Sequence, residues 1–404
     1  MNTMKNKRIM FLNVLFEPYI GGGAEIILKN LVKLTEQLGY SVSVVTLWDG
    51  KYLKEDTIDN INIYRLPIRN LYLPYGEKQP SLIKKRIWHL INIYNPFAEK
   101  DLKNIIQQIS PDLISVHNIE GFSISCFDVI TEFNIPFIQV LHDSHFICPT
   151  SMFKNNKICK KQCLSCKIMR YPHKQKSNKA TAVVGVSKFI LNKLLLYGYF
   201  NKVPIKKVIY NRRYPFSFSS INKVKNNNNI TFGFIGTLAP NKGIELLLEC
   251  FSRIKKNNWI LLIAGIGSKK YENYLKNKYK NNSIIFLGKV MPEKFFLQLD
   301  VTVVPSIGED TLPGVVFESF YFGVPVLGSK FGGIPEMIIE NINGELFNPY
   351  NQNEFKYALL NFANKIDYWK NKKEEIINSS KKFFDIESWK KEWMETYKEV
   401  LKVN

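Results

Sequence analysis

The sequence has no acidic residue between Asp143 and Glu245, although 35 of its 404 residues are Asp or Glu. The same 101 positions carry 19 Lys and Arg, which is most of the net charge of +21. A Lys- and Asn-rich coding bias would produce a solvated basic face, but it explains the lysines better than the missing acids. A positive field also attracts lipid headgroups, diphosphates or nucleic acid. Two interpretations stay open: a solvated face, or a surface for an anionic membrane or a lipid diphosphate.

Base-stacking aromatics are scarce in one part of the basic stretch, with a single Phe, Tyr or Trp between Lys154 and Lys179. Single-stranded nucleic acid binds through such aromatics interleaved with charges, so nucleic acid is not an expected partner. Residues 81–94 mix basic and apolar side chains at helical spacing. This pattern fits a helix lying on a membrane interface, and equally an ordinary amphipathic helix.

Long apolar runs are missing as well, which excludes a membrane-spanning helix. The run at residues 9–16 is too short to span, lacks a small-residue cleavage site and is followed by Glu17, which argues against a signal peptide. With 45% hydrophobic and 13% aromatic residues, the composition excludes disorder. We expect a cytoplasmic protein that lies peripherally on the inner face of the membrane.

Cysteine is scarce, with six in the chain, yet four of them fall within 19 residues. These four are Cys148, Cys159, Cys163 and Cys166. Four thiolates can hold a tetrahedral zinc, which predicts a structural metal site in the basic stretch. The alternatives are reduced thiols packed in a loop, or a redox pair at the C-x-x-C spacing. Cys126 and Cys250 are predicted to be isolated core residues.

Strand and helix patterns alternate along the chain, which predicts parallel sheets wrapped by helices. At 404 residues two domains are expected. The fold class is α/β, with two doubly wound Rossmann-like domains facing across a cleft. The predicted parts are a first domain at 1–216 with a basic cysteine-containing insert at about 144–180, a linker at 217–229, a second domain at 230–380, and a last helix within 381–404 that packs back across the junction.

The predicted elements have the following bounds. Strands are expected at 9–16, 42–47, 113–116, 137–141, 182–186, 208–210, 230–235, 259–264, 284–287, 301–304 and 324–327. Helices are expected at 24–38, 244–254 and 315–322.

Glycine and carboxylate residues follow several of these strands, where ligands bind in open α/β sheets. Residues 305–318 place Glu309, Asp310 and Glu318 beside a buried apolar segment, and ionised carboxylates can grip sugar hydroxyls. A helix cap is the plainer interpretation of such acids. Glycine at 21–23 precedes the first helix, where free amides accept an anion, or simply makes a tight turn. Lys242 is placed to neutralise a diphosphate, and Gly265 begins a weaker phosphate-loop candidate.

These motifs, in this order, resemble the retaining nucleotide-sugar glycosyltransferases of family 4, which have the GT-B architecture. The resemblance covers almost the whole chain. It rests on Gly21-Gly-Gly-Ala-Glu25, Val116-His-Asn118, Leu141-His-Asp-Ser144, Val186-Ser187, Ile209-Tyr-Asn211, Gly236 to Gly243, Pro305-Ser306 to Glu318, Gly323-Val-Pro-Val326 and Gly332-Gly-Ile-Pro-Glu336.

The resemblance implies that the domain at 1–216 binds the acceptor and the domain at 230–380 binds the nucleotide sugar. It also implies a role for each matching residue. Glu318 would hold the donor ribose, Glu309 or Asp310 the donor sugar, and Lys242 the diphosphate. His142 would lie at the reacting face. The other donor-side positions are Gly22, Gly23, Gly265, Gly314, Gly332 and Gly333, and the acceptor-side positions are His117, Asn118 and Asp143.

Two departures from the family pattern affect the donor side. Asp310 stands where the family usually has Glu, with Glu309 beside it and Gly314 shifted by one, so the sugar-binding carboxylate is undecided. Thr237 stands where the family often has Arg, which leaves Lys242 acting alone or with Arg212 or Arg213.

The resemblance implies transfer of a sugar, with retention at the anomeric carbon, from a UDP or GDP sugar to a glycan or a polyprenyl-diphosphate-linked glycan of a bacterial surface polysaccharide. No cofactor is required for catalysis, because the leaving diphosphate takes the proton from the attacking hydroxyl. The alternatives are a nucleotide-sugar epimerase on the same fold, a non-catalytic basic binding protein, or an inactive scaffold.

Overall fold

The structure is a computed structural model that describes residues 7–74, 80–216, 229–254 and 256–403. The predicted linker at 217–229 lies outside the described residues except for its last position. The chain divides into two compact units. The first comprises Met1–Ser151, Lys161–Arg213 and Ile386–Asn404, and the second comprises Met152–Lys160 and Tyr214–Asp385.

The first unit contains an eight-stranded sheet in the order β10-β9-β6-β5-β1-β2-β4-β3. Their pairs are parallel except β3 with β4, and β7 with β8 form a separate antiparallel hairpin. In chain order the strands are β1 Arg8–Leu12, β2 Ser41–Trp48, β3 Lys54–Ile58, β4 Ile61–Pro67, β5 Leu113–Val116, β6 Phe137–Leu141, β7 Phe153–Lys154, β8 Lys157–Ile158, β9 Ala182–Gly185 and β10 Ile205–Val208.

Within the described part of the chain, seven helices accompany these strands, with one short 3-10 turn at Pro96–Ala98. The first helix buries Ile27, Leu28 and Leu31 at the predicted spacing. The central strands β5 and β6 are buried along their whole length, as expected of parallel strands covered on both faces. The helices are α1 Gly23–Gln37, α2 Leu82–Ile91, α3 Glu99–Ile109, α4 Ser125–Glu132, α5 Leu164–Met169, α6 Tyr171–Ser177 and α7 Lys188–Leu196.

The second unit contains a six-stranded, all-parallel sheet in the order β13-β12-β11-β14-β15-β16. Its strands are β11 Ile230–Ile235, β12 Trp259–Ala264, β13 Ile284–Gly288, β14 Val301–Val304, β15 Val326–Ser329 and β16 Gly344–Phe347. Its helices are α8 Ile244–Arg253, α9 Lys269–Lys278, α10 Pro292–Phe296, α11 Gly314–Tyr321, α12 Gln352–Asn364, α13 Ile366–Asn371 and α14 Lys373–Ser380, with 3-10 turns at Pro240–Lys242, Ile334–Glu336 and Lys381–Phe383.

The last helix, α15 Ile386–Val400, belongs to the first unit although it follows the second in sequence. Its Tyr397 hydroxyl lies 3.0 Å from the Thr35 hydroxyl of α1, and Glu392 accepts a hydrogen bond from Arg212 at 2.6 Å. A second ion pair joins Lys207 of β10 to Glu399 at 2.6 Å, and one face of the helix is buried, so polar contacts and apolar packing together hold it on the first unit. It begins five residues later than the start of the predicted 381–404 segment, because Lys381–Phe383 forms a 3-10 turn.

Several predicted bounds were wrong, and the reasons are local. The chain leaves the first strand at Leu12 rather than residue 16, since the Asn13 side chain donates to the Leu15 carbonyl oxygen at 2.6 Å and bends the backbone. The strand predicted at 208–210 lies at Ile205–Val208, and the one at 324–327 lies at Val326–Ser329. The first domain ends at Arg213 rather than 216 because the Phe216 ring packs 5.1 Å from Phe322 in the second unit.

Strands β3 and β4 were not predicted. They add an antiparallel hairpin to an otherwise parallel sheet, and β3 carries the charged sequence KEDTI. Charged residues are common on edge strands because they oppose pairing with another chain. No helix within the described residues is long and apolar enough to cross a membrane.

Candidate active site

Two histidines meet at the carboxyl edge of the first sheet. His117 follows β5 and His142 follows β6, and these strands are parallel neighbours. His117 Nδ1 lies 2.9 Å from His142 Nε2, and the ring centroids are 5.2 Å apart. On the other side of its ring, His117 Nε2 lies 3.1 Å from the Ser115 hydroxyl. The sequence predicted both histidines, but not that they bond to each other.

Burial keeps this histidine pair uncharged. It lowers the pKa of His142 to about 4. Burial, and then the proximity of His142, lowers the pKa of His117 well below its usual value. Each hydrogen bond in the chain from Ser115 to His142 therefore joins neutral groups, so the tautomer of one ring fixes that of the other.

The histidine pair lines a cavity of about 50 Å³ together with Ala24 of α1, Asn118 and Asp143. Asn118 N donates to Asn13 Oδ1 at 2.9 Å, which ties this loop to the end of β1. Asp143 accepts from His145 N at 2.7 Å, and burial raises its pKa. The predicted acceptor-side residues are thus brought to one place in the first unit.

The glycines before α1 lie in the same unit. Gly22 N donates to Glu25 Oε2 at 2.7 Å, and Gly23 is the first residue of the helix. A Cβ added at Gly23 would meet no atom within 4 Å, so the absent side chain leaves open space at the helix N-terminus. Such a terminus offers backbone amides to an anion.

Arg170 links the cysteine-containing segment to this cavity. It is 2% exposed, and its guanidinium donates to His145 Nε2 at 2.9 Å and to His173 Nε2 at 2.7 Å. Because a guanidinium only donates, both imidazoles accept and are neutral, with their protons on Nδ1. Burial and the charge of Arg170 lower the pKa of both histidines well below the usual value.

The four clustered cysteines form no disulfide. Cys148 Sγ and Cys166 Sγ are buried 3.5 Å apart, whereas Cys163 is exposed at the start of α5. Within the ranges that the structure describes, no group of three His, Cys, Asp or Glu side chains is arranged to hold a metal ion. The zinc site at these cysteines and Cys159 stays a prediction.

Lys242 and Asp310 form an ion pair in the second unit. Lys242 Nζ contacts Asp310 Oδ1, while the Ser306 hydroxyl donates to Oδ2. Lys242 ends the turn after β11, and Ser306 follows β14, the strand beside β11. Since the carboxyl ends of parallel neighbours meet at one edge, side chains 68 positions apart in sequence come together.

The turn at Gly332 and Gly333 closes on the backbone of Asp310. Gly333 N donates to the Asp310 carbonyl oxygen at 2.7 Å. Gly332 has a φ of 66°, and a Cβ there would collide with the same carbonyl oxygen. Glycine is therefore required by both the left-handed backbone and the close approach.

Glu309 has different surroundings. Burial, and then the charge of Glu309, raises the pKa of Tyr350, whose hydroxyl donates to the Ile307 carbonyl oxygen at 2.7 Å. The sequence left open which carboxylate belongs to the donor site. In the structure Asp310 contacts Lys242, whereas Glu309 lies near Tyr350.

Glu318 lies within α11, which begins at Gly314 directly after Pro313. It is 5% exposed. A carboxylate held in this way on a helix accepts hydrogen bonds from a fixed position, which suits a pair of hydroxyl groups. The structure places Glu318 on the helix that follows the Asp310 loop, within the same unit as Lys242.

Gly265 follows β12 with a φ of 127°, and a Cβ there would collide with the Gly236 carbonyl oxygen. Two backbone loops pass closely at this point. The amide of nearby Gly267 already donates to Glu272 Oε1 at 2.6 Å. The predicted phosphate loop thus has one of its amides engaged by a carboxylate of α9.

Sequence reasoning missed Ser115, Ser306, His145 and Arg170 as members of these clusters. Ser306 follows a strand directly, which is a signal that could have found it. Ser115 stands inside a buried strand, and Arg170 carries no local pattern that separates it from solvated cations. Arg212, predicted as an alternative donor-side cation, is paired with Glu392 in the first unit.

Two protein-family models match consecutive parts of the chain, which correspond broadly to the two units. Residues 21–211 match the family model described as Glycosyltransferase Family 4, and residues 217–383 match that of glycosyl transferases group 1. A 42.6 kDa protein in the cps region of Klebsiella pneumoniae is 27% identical over 83% of this chain and 88% of its own length.

A second relative matches over a shorter part. The GalNAc-α-(1→4)-GalNAc-α-(1→3)-diNAcBac-PP-undecaprenol α-1,4-N-acetyl-D-galactosaminyltransferase of Campylobacter jejuni is 29% identical over 41% of this chain and 47% of its own. Among solved structures, Anabaena Alr3699/HepE in complex with UDP-glucose superposes with a TM-score of 0.70 and 17% identity, over 97% of this chain and 99% of that one. This structural match confirms the predicted fold class, GT-B.

Proposed function

We propose that this chain, which belongs to the family 4-type glycosyltransferases, transfers a sugar from a nucleotide-sugar donor to a glycan or lipid-linked glycan acceptor. Transfer proceeds with retention at the anomeric carbon and is of the hexosyl type. The product is part of a bacterial surface polysaccharide. The relative from the cps region supports the pathway, and the Campylobacter enzyme supports an acceptor on a polyprenyl diphosphate.

The observation that carries the donor side is the ion pair of Lys242 with Asp310, closed by the turn at Gly332 and Gly333. In this proposal Lys242 neutralises the donor diphosphate. Asp310 orients Lys242 and accepts from hydroxyls of the donor sugar with its remaining lone pairs. The nucleotide ribose binds Glu318. The complex of Anabaena Alr3699/HepE with UDP-glucose makes UDP the first donor nucleotide to test, ahead of GDP.

The first unit supplies the acceptor side. His142 positions and polarises the attacking hydroxyl and forms no covalent intermediate. The proton of that hydroxyl goes to the leaving diphosphate, whose developing charge is stabilised by Lys242 and by backbone amides. The reaction needs no metal or organic cofactor. To reach a lipid-linked acceptor, the protein would act in the cytoplasm, bound peripherally to the inner face of the membrane.

Thermal shift with UDP, GDP, ADP and CMP tests the donor side. A ligand that binds only the folded state, at a hundred times its Kd, adds about 2.7 kcal/mol of stability. We expect one nucleotide to raise the Tm of wild type and to lose about 1.5–3 kcal/mol of binding in Glu318→Ala and Glu318→Gln, the range for a charged hydrogen bond. Glu374→Ala, on the exposed face of α14, is the matched control and should respond as wild type does.

Transfer is then measured with the matching nucleotide sugar and a polyprenyl-diphosphate-linked glycan, and the anomeric configuration of the product is read by NMR. Retention supports the proposal, and an inverted product contradicts the mechanism. Turnover of the donor sugar to an epimer without acceptor would replace the transferase with an epimerase. If no nucleotide stabilises the wild type, the proposed function fails and a binding protein or inactive scaffold takes its place.

A further inference from the structure

Helix α2 turns an apolar face to solvent. Leu82 is 76% exposed, Ile83 70%, Ile87 43% and Leu90 61%. Ile83, Ile87 and Leu90 follow the i, i+4, i+7 spacing, so they lie along one side of the helix. The periodic pattern that usually identifies a buried face is here an exposed one. Burying it against water-free surroundings would be favourable, since apolar surface is stabilised on removal from water.

A single large anchor fixes this orientation. Trp88 is 1% exposed, and its indole nitrogen donates to the Tyr72 carbonyl oxygen at 2.8 Å. The Asn70 side chain donates to the Trp88 carbonyl oxygen at 3.1 Å. Helical geometry places Ile83, Ile87 and Leu90 on the side away from Trp88. The apolar face is therefore held outward by packing and hydrogen bonds within the first unit.

The charges on α2 are all of one sign. Lys84 and Arg86 are exposed, Lys85 lies between them, and no acidic residue occurs from position 80 to 98. An outward helix with an apolar stripe and only basic charges is typical of segments that lie in the headgroup region of an anionic bilayer. Its cations would contact lipid phosphates while its apolar side chains enter the acyl boundary.

A helix of the basic stretch, α5, has the same character as α2. Helix α5 exposes Leu164 by 73% and Ile168 by 67%, and Lys161 and Lys167 are exposed beside them. The chain segments that follow the two helices are in contact. Lys176 Nζ, on α6 directly after α5, lies 5.1 Å from the ring centroid of Tyr94, three residues beyond the end of α2. Exposed apolar side chains and cations thus recur on two helices of one unit.

We propose that α2 and α5 form a docking surface for an anionic lipid bilayer, with Ile83, Ile87, Leu90, Leu164 and Ile168 as the inserted side chains. The biological role of this surface rests on the proposed function, since a lipid-linked acceptor would lie in the same bilayer. The charge pattern selects a bilayer over a second copy of this chain. Two such faces brought together would place like charges opposite each other.

Vesicle sedimentation of the full chain tests the surface. The probes are vesicles of phosphatidylcholine alone and of phosphatidylcholine mixed with phosphatidylglycerol, each at low and high salt. Two variants alter α2, namely Ile87→Ser/Leu90→Ser and Lys84→Glu/Arg86→Glu. Their matched controls are Leu196→Ser, whose leucine is 85% exposed on α7, and Lys356→Glu/Lys381→Glu, which changes the net charge equally in the second unit. Circular dichroism melting confirms that every variant is folded.

We expect wild type to bind the mixed vesicles, to release them at high salt, and to bind phosphatidylcholine weakly. Each reversed cation should weaken binding by at least about fivefold, the value of one charge near an anionic surface. The serine variant should also lose binding, while both controls keep it. The proposal is overturned if wild type ignores the mixed vesicles, if it binds both kinds equally, or if the α2 variants bind as wild type does.

Sedimentation velocity identifies the competing occupant. If wild type self-associates and Ile87→Ser/Leu90→Ser makes it monomeric with vesicle binding unchanged, the face joins two copies and the proposal is wrong. The nucleotide thermal shift keeps the two hypotheses apart. Loss of nucleotide binding with vesicle binding intact removes only the proposed function, and the reverse result removes only the docking surface.

Discussion

His117 Nδ1 lies 2.9 Å from His142 Nε2, although the residues are 25 positions apart in sequence. The Ser115 hydroxyl, 3.1 Å from His117 Nε2, makes a chain of three hydrogen-bonding groups that ends at His142. Each link holds one proton between two neutral groups, so His142 offers its remaining nitrogen in a tautomer that the chain fixes.

The pair predicts that His117 is a positioning residue for His142. His117→Ala should lower kcat of transfer about 10- to 100-fold, the effect of losing one positioned hydrogen bond. It should also move the acid limb of the pH–rate profile upward, because water entering the gap brings the pKa of His142, now about 4, toward its ordinary value. Ser115→Ala should lower kcat and shift the acid limb in the same directions, but by smaller amounts.

Nucleotide binding gives the control, since the proposed function assigns it to Lys242 and Glu318 of the second unit and it should not change in either variant. A His117→Ala enzyme with reduced kcat and an unmoved acid limb would mean that His117 has only a packing role. Unchanged kcat would exclude any role in transfer.

The buried histidines predict a loss of stability in mild acid. The folded-state pKa of His142 is about 4, and those of His117, His145 and His173 are also lowered by burial. Between about pH 6.5 and 4 the unfolded chain therefore binds protons that the folded chain excludes. The stability is fully present above about pH 6.5 and falls as the pH falls through that window.

Urea unfolding at pH 7, 6 and 5 measures this dependence. Each such histidine contributes a slope of about 1.4 kcal/mol per pH unit within its window. His173→Asn should reduce the slope relative to wild type, whereas a variant of partly buried His89, such as His89→Asn, should reduce it less. A free energy of unfolding that is constant from pH 7 to 5 would contradict the prediction.

The ion pair predicts unequal roles for two adjacent carboxylates. Asp310→Asn should lower kcat/KM for the donor by about 10- to 150-fold, corresponding to about 1.5–3 kcal/mol for a charged hydrogen bond. Glu309→Gln should stay within about threefold of wild type, as expected of a change of about 0.5 kcal/mol near the surface. Steady-state kinetics with the donor sugar nucleotide compares them directly. The assignment is reversed if Glu309→Gln is the more damaging variant.

Cys163 is predicted to be the most reactive thiol of the chain. Hydrogen bonds from Ser165 and Cys166 lower the pKa of Cys163 to about 7, and its side chain is exposed. Burial raises the pKa of Cys126 well above its usual range, which makes it the internal control. Iodoacetamide labelling followed by peptide mass spectrometry should therefore modify Cys163 half-maximally near pH 7 and leave Cys126 unlabelled.

The same experiment tests the predicted zinc. If four thiolates hold the metal, Cys163 will resist labelling until a chelator is added, and elemental analysis will find about one zinc per chain. Labelling at the predicted rate without chelator, together with no zinc above background, removes the metal site.

Much of the fold follows from local patterns. The apolar runs at Ile230–Ile235, Trp259–Ala264 and Val301–Val304 were predicted with their observed bounds, because central parallel strands are apolar on both faces and end in turns. Strand β3 was not predicted, and β10 was predicted at the wrong position. Both are edge strands, and their charged residues, such as Lys206 and Lys207 of β10, interrupt the apolar pattern.

The sequence by itself determined the GT-B fold, the family and the set of residues at the strand ends, because turn glycines, buried strands and their order are local properties of the chain. The tertiary structure decided which of those residues touch. It joined His117 to His142 and Lys242 to Asp310, and it turned Ile83 and Leu90 outward, although their spacing is also that of a buried face. Sequence spacing shows which side chains share a face of one helix or strand. Contacts between elements depend on the strand order and on what packs against each face.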